Sequence, residues 1–455
     1  MGMFLNSGVP YEAYQEVLRD KYFVDKSMLI SELIPVLGRK NRYICITRPR
    51  RFGKTVMANM IGAFFGKTKK DSLFKNLSVS ETKEYQEHLN KYDVIYIDFS
   101  RIPEKCSSYQ EYSTRIIDGL KEDMRNTFSD MQIDCDKAIW DVLQEVSEKA
   151  GMKFMFVMDE WDAVFHMPFI SEKEQREYLL FLKTLLKDQT YVELAYMTGI
   201  LPIAKYSSGS ELNMFVEYDM TTSEKFSEYF GFLDTEVDSL YEVYISETEH
   251  AKISREDLRI WYNGYHTALG NRLYNPRSVV LALTDNQIRN YWTSSGPYDE
   301  LFYYIRNNIE DIRNDLVLMI SGEGVSAEIG QYAAGFMDIG SREQIYSAMV
   351  VYGLLTYEDG KVFIPNKELM DKFNELLLSK ESLGYVYELA KKSARMLMAT
   401  LSGDTETMKE ILQFAHDTES PILAYNNEVE LSAVVNLCYL SARNKYRVER
   451  EDKAG

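Results

Sequence analysis

Tyr43-Ile44-Cys45-Ile46-Thr47-Arg48-Pro49-Arg50-Arg51-Phe52-Gly53-Lys54-Thr55 is the stretch on which the reading of this chain turns. Its first five residues are short, apolar and largely β-branched, the composition of a buried strand. Pro49 cannot donate to a strand ladder, so the strand gives way to a loop. Beyond it, Val56, Met57, Met60, Ile61, Phe64 and Phe65 recur at helical spacing, which predicts an amphipathic helix opening at Gly53-Lys54-Thr55. Strand, loop and helix in that order bring unpaired amide N–H groups and the positive end of a helix dipole to one point, a setting that favours phosphate. Gly53 has no Cβ to hold an anion off the backbone. Lys54 is then placed to reach the β- and γ-phosphates of a nucleotide, and the Thr55 hydroxyl to hold Mg²⁺. The general phosphate-loop motif is Gly, four residues, then Gly-Lys-Ser/Thr; here Arg48 stands at the first Gly.

A second element extends the first. Phe154-Met155-Phe156-Val157-Met158-Asp159-Glu160 is an apolar run ending in two carboxylates. In a phosphate-transfer site Asp159 binds Mg²⁺ through water and Glu160 polarises the attacking water. As a plain strand end, Asp159 instead caps the next helix. A rival strand, Val94-Ile95-Tyr96-Ile97-Asp98-Phe99, also ends in Asp but lacks the adjacent Glu, which favours Asp159 and Glu160. Helical patterns over 109–125, 137–149 and 172–187 and a further strand, Val192-Glu193-Leu194-Ala195-Tyr196-Met197-Thr198, complete an alternating order. That order predicts an α/β fold, a parallel sheet with helices on both faces. Thr198 then lies at the carboxyl edge, as a sensor of the γ-phosphate or as a capping threonine.

Composition bounds the rest. The chain has 455 residues, long enough for two or three domains, with 45% hydrophobic and 27% charged residues. Its 33 Tyr and 22 Phe supply ample core, which argues against disorder. Every apolar stretch is broken short of a membrane span, and the start is neither a signal peptide nor a myristoylation site, so a cytoplasmic location is expected. Cys45, Cys106, Cys135 and Cys438 are scattered without metal-ligand spacing and read as reduced thiols. A net charge of −18 repels nucleic acid on average. Arg39, Lys40, Arg42, Arg48, Arg50, Arg51 and Lys54 form one basic stretch, and its overlap with Gly-Lys-Thr assigns it to the phosphates of a nucleotide rather than of a polymer.

Past the first sheet, Asn275-Pro276 reads as a helix start and Trp261 to Tyr265 as a packed turn around Gly264. A helix over 342–354 precedes a hairpin, Leu355-Thr356-Tyr357 and Val362-Phe363-Ile364, turning at Asp359-Gly360. Helices follow over 367–380 and 383–401. This pattern predicts a mostly helical, winged-helix-like region, and the acidic Glu358 and Asp359 on the wing favour a packing role over DNA binding.

The ordered set resembles the bacterial and archaeal AAA-ATPase-like family, in which Arg stands at the first Gly position as a rule. Thr47 to Thr55 is similar to its loop signature, Tyr22-Phe23-Val24-Asp25-Lys26-Ser27 to its N-terminal "YYVDKT", and Asp159-Glu160-Trp161-Asp162 to its "DEYD". Thr198-Gly199-Ile200 with Ser210-Glu211-Leu212-Asn213, then Tyr229-Phe230-Gly231-Phe232, Trp261-Tyr262-Asn263-Gly264-Tyr265 and Tyr274-Asn275-Pro276 follow in the family's order. The resemblance implies an ATPase that takes ATP and Mg²⁺. Lys54 and Glu160 would be catalytic. Arg50, Arg51, Phe52, Gly53, Lys54, Thr55 and Thr198 would bind nucleotide, and Thr55 and Asp159 would hold the metal. Arg50 and Arg51 are candidates in cis for the transition-state arginine; a second copy of the chain in a homo-oligomer is another source. A nucleotide-binding scaffold that switches an effector would use the same residues, so the motifs leave that function open.

The expected organisation is a P-loop domain over 1–225, a lid region over 226–380, and a last region over 381–455. In the family a PD-(D/E)XK nuclease-superfamily domain often follows. Asn427-Glu428-Val429-Glu430-Leu431, opening an apolar helix to Arg443, is similar to its beginning. The metal-binding Asp and Glu-x-Lys of such a domain are not reached, and Glu451-Asp452-Lys453 matches only in letters. No nuclease activity is therefore expected of this chain, and nucleic acid enters only through the missing domain.

Overall fold

The computed structural model describes residues 2–67, 73–206, 211–292, 309–330, 341–379, 384–417 and 428–444. Of the sequence features above, Ser210, Asn427, the side chains of Glu428 and Glu430, and Glu451-Asp452-Lys453 lie outside the described residues. Two compact units result: Met1–Ala251 with Thr267–Pro276, and Lys252–His266 with Arg277–Gly455.

The first unit is built on one parallel sheet. Strands β1 (Tyr43–Thr47), β2 (Asp93–Asp98), β3 (Phe154–Asp159), β4 (Val192–Gly199) and β5 (Val216–Tyr218) take the order β2-β3-β4-β1-β5. Helices α1 (Val9–Val17), α2 (Leu29–Leu33), α3 (Lys54–Phe65), α4 (Tyr85–His88), α5 (Tyr109–Thr127), α6 (Ile139–Ala150), α7 (Glu172–Leu186), α8 (Ile203–Tyr206) and α9 (Asp234–Glu247) accompany it. Side chains of one strand alternate between two cores. Cys45, Ile95, Ile97, Phe156, Met158 and Met197 pack with α5, α6 and α7. Ile44, Ile46, Tyr96, Met155, Val157 and Tyr196 pack with α1, α2 and α3. Because both faces are covered, the central strands read as unbroken apolar runs instead of alternating ones.

Strand β1 lies between β4 and β5, although β2 follows it in sequence. The connections therefore leave β1 and β4 in opposite directions, and such a switch point opens a crevice at the carboxyl edge of the sheet. The loop that carries Arg48 to Gly53 leaves β1 at that edge.

The second unit contains α10 (Arg255–Tyr262), α11 (Pro276–Asp285, whose first residue belongs to the first unit), α12 (Ile309–Ile320) and α13 (Arg342–Val351). It continues with α14 (Lys367–Ser379), α15 (Tyr385–Ser402), α16 (Thr405–Asp417) and α17 (Glu428–Cys438). A three-stranded antiparallel sheet joins β6 (Val325–Ser326) to the expected hairpin, β7 (Thr356–Glu358) and β8 (Lys361–Phe363). Asp359 (φ 49°) and Gly360 (φ 77°) make the tight turn, as a two-residue hairpin loop with both central φ positive requires. A helix-and-wing region thus follows the sheet unit. Gly264 (φ 120°) has no room for a side chain: a Cβ there would stand 1.9 Å from the Pro365 carbonyl oxygen. With Tyr262 and Tyr265 buried beside it, the aromatic segment is core. On α17, Val434 is buried, as are Leu437 and, beyond its end, Leu440, while Leu431 and Val435 stay exposed. The helix packs on α15 and α16 within this unit.

Candidate functional site

The loop after β1 closes on itself through Lys54. As first residue of α3, Lys54 is buried, and its Nζ donates to the carbonyls of Arg48 (3.0 Å) and Pro49 (3.2 Å). Gly53 takes φ 88°, a left-handed conformation that a side chain would strain, and the space where a Cβ would stand is open to 4 Å. Arg51 is also left-handed at φ 71°. Phe52 turns its ring fully into the core, so it can offer a ligand only its backbone.

The basic stretch does not form one patch. Arg39, Lys40 and Arg42 precede β1 and Arg48 to Lys54 follow it, and five strand residues span about 16 Å. Arg42 lies over the Tyr43 ring and donates to the carbonyls of Arg39 and Gln189. The expectation that all seven serve phosphate is therefore corrected; the strand sends them to opposite edges of the sheet.

At the carboxyl edge the acids gather. Met158 pairs with Met197 in register, which sets Asp159 level with Thr198, and the Thr198 hydroxyl donates to Asp159 Oδ1. Burial pushes the Asp159 carboxyl up to about 6; the Thr198 and Thr55 hydroxyls beside it pull the other way, and the charge of Glu160 adds to the rise. Glu160 follows at φ 51°, an unusual conformation for a glutamate and one of the strained positions that functional sites retain. Burial raises its carboxyl too, opposed by the Lys54 ammonium and, more weakly, by Arg50. No hydrogen bond among the described residues reaches the Glu160 carboxylate. Asp98 pairs in register with Asp159, but its oxygens are taken by Ser100 N–H (3.0 Å), Ser100 Oγ (2.6 Å) and Arg101 Nε (3.0 Å).

Lys54, Thr55, Asp159, Glu160 and Thr198 thus converge on one edge, drawn from the start of α3 and the ends of β3 and β4. Arg50 is near enough to act on Glu160, whereas Arg51 is exposed. Two carboxylates escaped the sequence reading. Asp162 is buried, and its Oδ2 accepts the N–H groups of Ile200 (3.0 Å) and Leu201 (2.8 Å), holding the turn after β4. Glu217 on β5 accepts from Thr47 Oγ1 (3.0 Å) and Ile203 N–H (3.0 Å), and burial pushes its carboxyl up to about 7. Asp162 stood in plain view two residues after Glu160; Glu217 carried no signal.

Among the described residues no group of three or more His, Cys, Asp or Glu is arranged to hold a metal ion. Mg²⁺ held with a nucleotide keeps several waters and takes one or two protein oxygens plus phosphates. Asp159 and Thr55, side by side, provide such a pair. Among the described residues no helix is long and apolar enough to cross a membrane.

An uncharacterised protein of the vnfD 5′ region of Azotobacter chroococcum mcd 1 is 24% identical over 373 residues, covering 79% of this chain and 67% of that protein. Among solved structures, the Walker-type ATPase PABY2304 of Pyrococcus abyssi aligns at 10% identity over 76% of this chain and 94% of its own, with a TM-score of 0.38. The ORC2 protein of Aeropyrum pernix, solved in ADPNP–ADP complexes, aligns at 10% identity over 82% of this chain and 94% of its own, with a TM-score of 0.35. The family model AAA-ATPase_like, described as "Predicted AAA-ATPase", matches residues 10–208. Over that segment, which carries every candidate site residue named from the sequence, the chain is similar to the AAA-ATPase-like P-loop family.

Proposed function

We propose that the first unit binds ATP with Mg²⁺ at the loop of Arg50, Arg51, Phe52, Gly53, Lys54 and Thr55, and hydrolyses it. The observation that carries this reading is the meeting of a buried lysine at a helix start with a strand-end Asp-Glu pair whose Glu accepts no hydrogen bond among the described residues. Lys54 would exchange two loop carbonyls for phosphate oxygens, a stronger charge-assisted contact. Thr55 and Asp159 would hold the metal, which when bound neutralises charge on the phosphates. Glu160, which accepts no hydrogen bond among the described residues, is available to take a proton from water, and burial lifts its basicity toward the working pH. Thr198 keeps Asp159 oriented through its hydroxyl. Arg50, whose charge reaches Glu160, is the cis candidate for steadying the transition state.

The experiment is phosphate release from ATP by the full chain, in magnesium and in excess chelator. Release in magnesium that stops on chelation supports the reading. Nucleotide binding without release in either condition favours a switch or scaffold.

A further inference from the structure

Arg48 occupies the place where the general motif has its first glycine, and it does not face the loop's open side. It is 1% exposed. Its Nη1 donates to the carbonyls of Thr47 (2.8 Å) and Tyr218 (2.7 Å), its Nη2 to that of Phe226 (3.4 Å), and the guanidinium lies 5.1 Å from the centre of the Phe230 ring. Its backbone is equally committed. The Arg48 N–H donates to the Gly199 carbonyl at the end of β4 (3.1 Å), and its own carbonyl accepts from Lys54 Nζ (3.0 Å). The segment that Arg48 grips also touches the loop directly, through Gly231 N–H donating to the Phe52 carbonyl (3.3 Å).

One side chain therefore joins the phosphate loop to β5 and to 226–230, while the same residue's backbone meets β4 and Lys54. A charge held this way is expensive to bury, because among the described residues it has no carboxylate partner. Asp219 is an opposing charge that acts on it, but its oxygens serve Thr221 and Thr222. A methionine-sized apolar side chain would fill the volume without that penalty, so packing alone does not account for an arginine.

We propose that Arg48 is a positioning residue: it braces the phosphate loop against β5 and the 226–231 segment and so sets where Lys54 meets phosphate. This rests on the ATP-binding reading. Without the brace the loop is free to sag, and Lys54 loses the carbonyl that fixes it.

The test compares wild type, Arg48→Met, Arg48→Lys and a core control, Leu143→Ala, in titrations with Mg²⁺-ATP and in hydrogen–deuterium exchange of the nucleotide-free protein around Gly231. Arg48→Met should bind at least tenfold more weakly, Arg48→Lys should fall between it and wild type, and exchange at Gly231 should quicken. Leu143→Ala, buried on α6 away from the loop, should lower the melting temperature with affinity within threefold. Affinity of Arg48→Met within threefold of wild type, or an equal loss in Leu143→Ala, would overturn the proposal. If Arg48→Met does not fold, an Arg48→Lys affinity equal to wild type overturns it. A wild type that binds no ATP defeats the nucleotide reading, and the brace then stands or falls on exchange alone: unchanged protection at Gly231 refutes it.

Discussion

Glu160 in the first unit is half-buried and Glu368 in the second fully buried, and burial raises both carboxyls, Glu368 to about 7. They are held in opposite ways. Glu368 accepts from Tyr291 N–H (2.6 Å), Trp292 N–H (2.7 Å) and the Ser278 hydroxyl (2.9 Å), and burial alone lifts its carboxyl while these donors pull the other way. Glu160 has no hydrogen-bond donor among the described residues and shares its surroundings with Asp159, Asp162 and Asp98. A raised pKa therefore does not mark a site. Glu368 is a clasp whose demand is already met; around Glu160, acids outnumber donors, and that unmet demand is what the proposed metal and water would answer.

The comparison can be broken by making one substitution at both positions. Glu160→Gln keeps shape but removes the base, so ATP hydrolysis should fall on the order of 10²–10⁴-fold with ATP binding retained. Glu368→Gln should leave turnover within about threefold, since its carboxylate is already engaged by backbone and serine donors of its own unit. Equal losses at the two positions would show that the difference between them is not functional.

The second unit gives its own signature in pH. The Glu368 carboxyl sits at about 7 in the folded chain against an ordinary glutamate value of 4.5. Its contribution to stability is thus fully present below pH 4.5 and lost as pH rises through 7. The change is on the order of 3 kcal/mol. Glu368→Gln should remove that slope, so the melting-temperature gap between wild type and variant should shift in the variant's favour from pH 5 to pH 8. Parallel curves for the two proteins would mean that Glu368 does not titrate in this window.

The smallest effect belongs to Asp98. Its pair with Arg101 is partly exposed, worth about 0.2–1 kcal/mol, so Asp98→Asn should alter turnover by no more than about fivefold. A loss on the scale expected for Glu160 would move the base to the neighbouring strand.

Much of this arrangement was legible in the sequence because both faces of the sheet are covered. Phe154 to Asp159 is buried throughout, so its apolar run and acidic end announce a central strand and its tip. The Gly53-Lys54-Thr55 start of α3 and the Asp359-Gly360 turn were legible because each needs particular backbone angles. Strand β5 was not. Val216 is exposed and Glu217 half-buried in a three-residue strand, too short for any period to show. Arg48 misled in the other direction: beside Arg50 and Arg51 it reads as phosphate-binding, and only the carbonyls of Tyr218 and Phe226, 170 and 178 residues away, turn it inward. Local pattern reveals what a segment needs from its own backbone. It does not reveal a partner supplied from far along the chain.

The central claim is that the loop around Lys54 receives the phosphates of ATP. Its most direct test is calorimetric titration of Mg²⁺-ATP into wild type and Lys54→Ala. Loss of a charge-assisted contact worth about 1.5–3 kcal/mol should weaken binding roughly 10- to 150-fold while the variant stays folded. A folded Lys54→Ala protein that binds Mg²⁺-ATP as tightly as wild type would contradict the account.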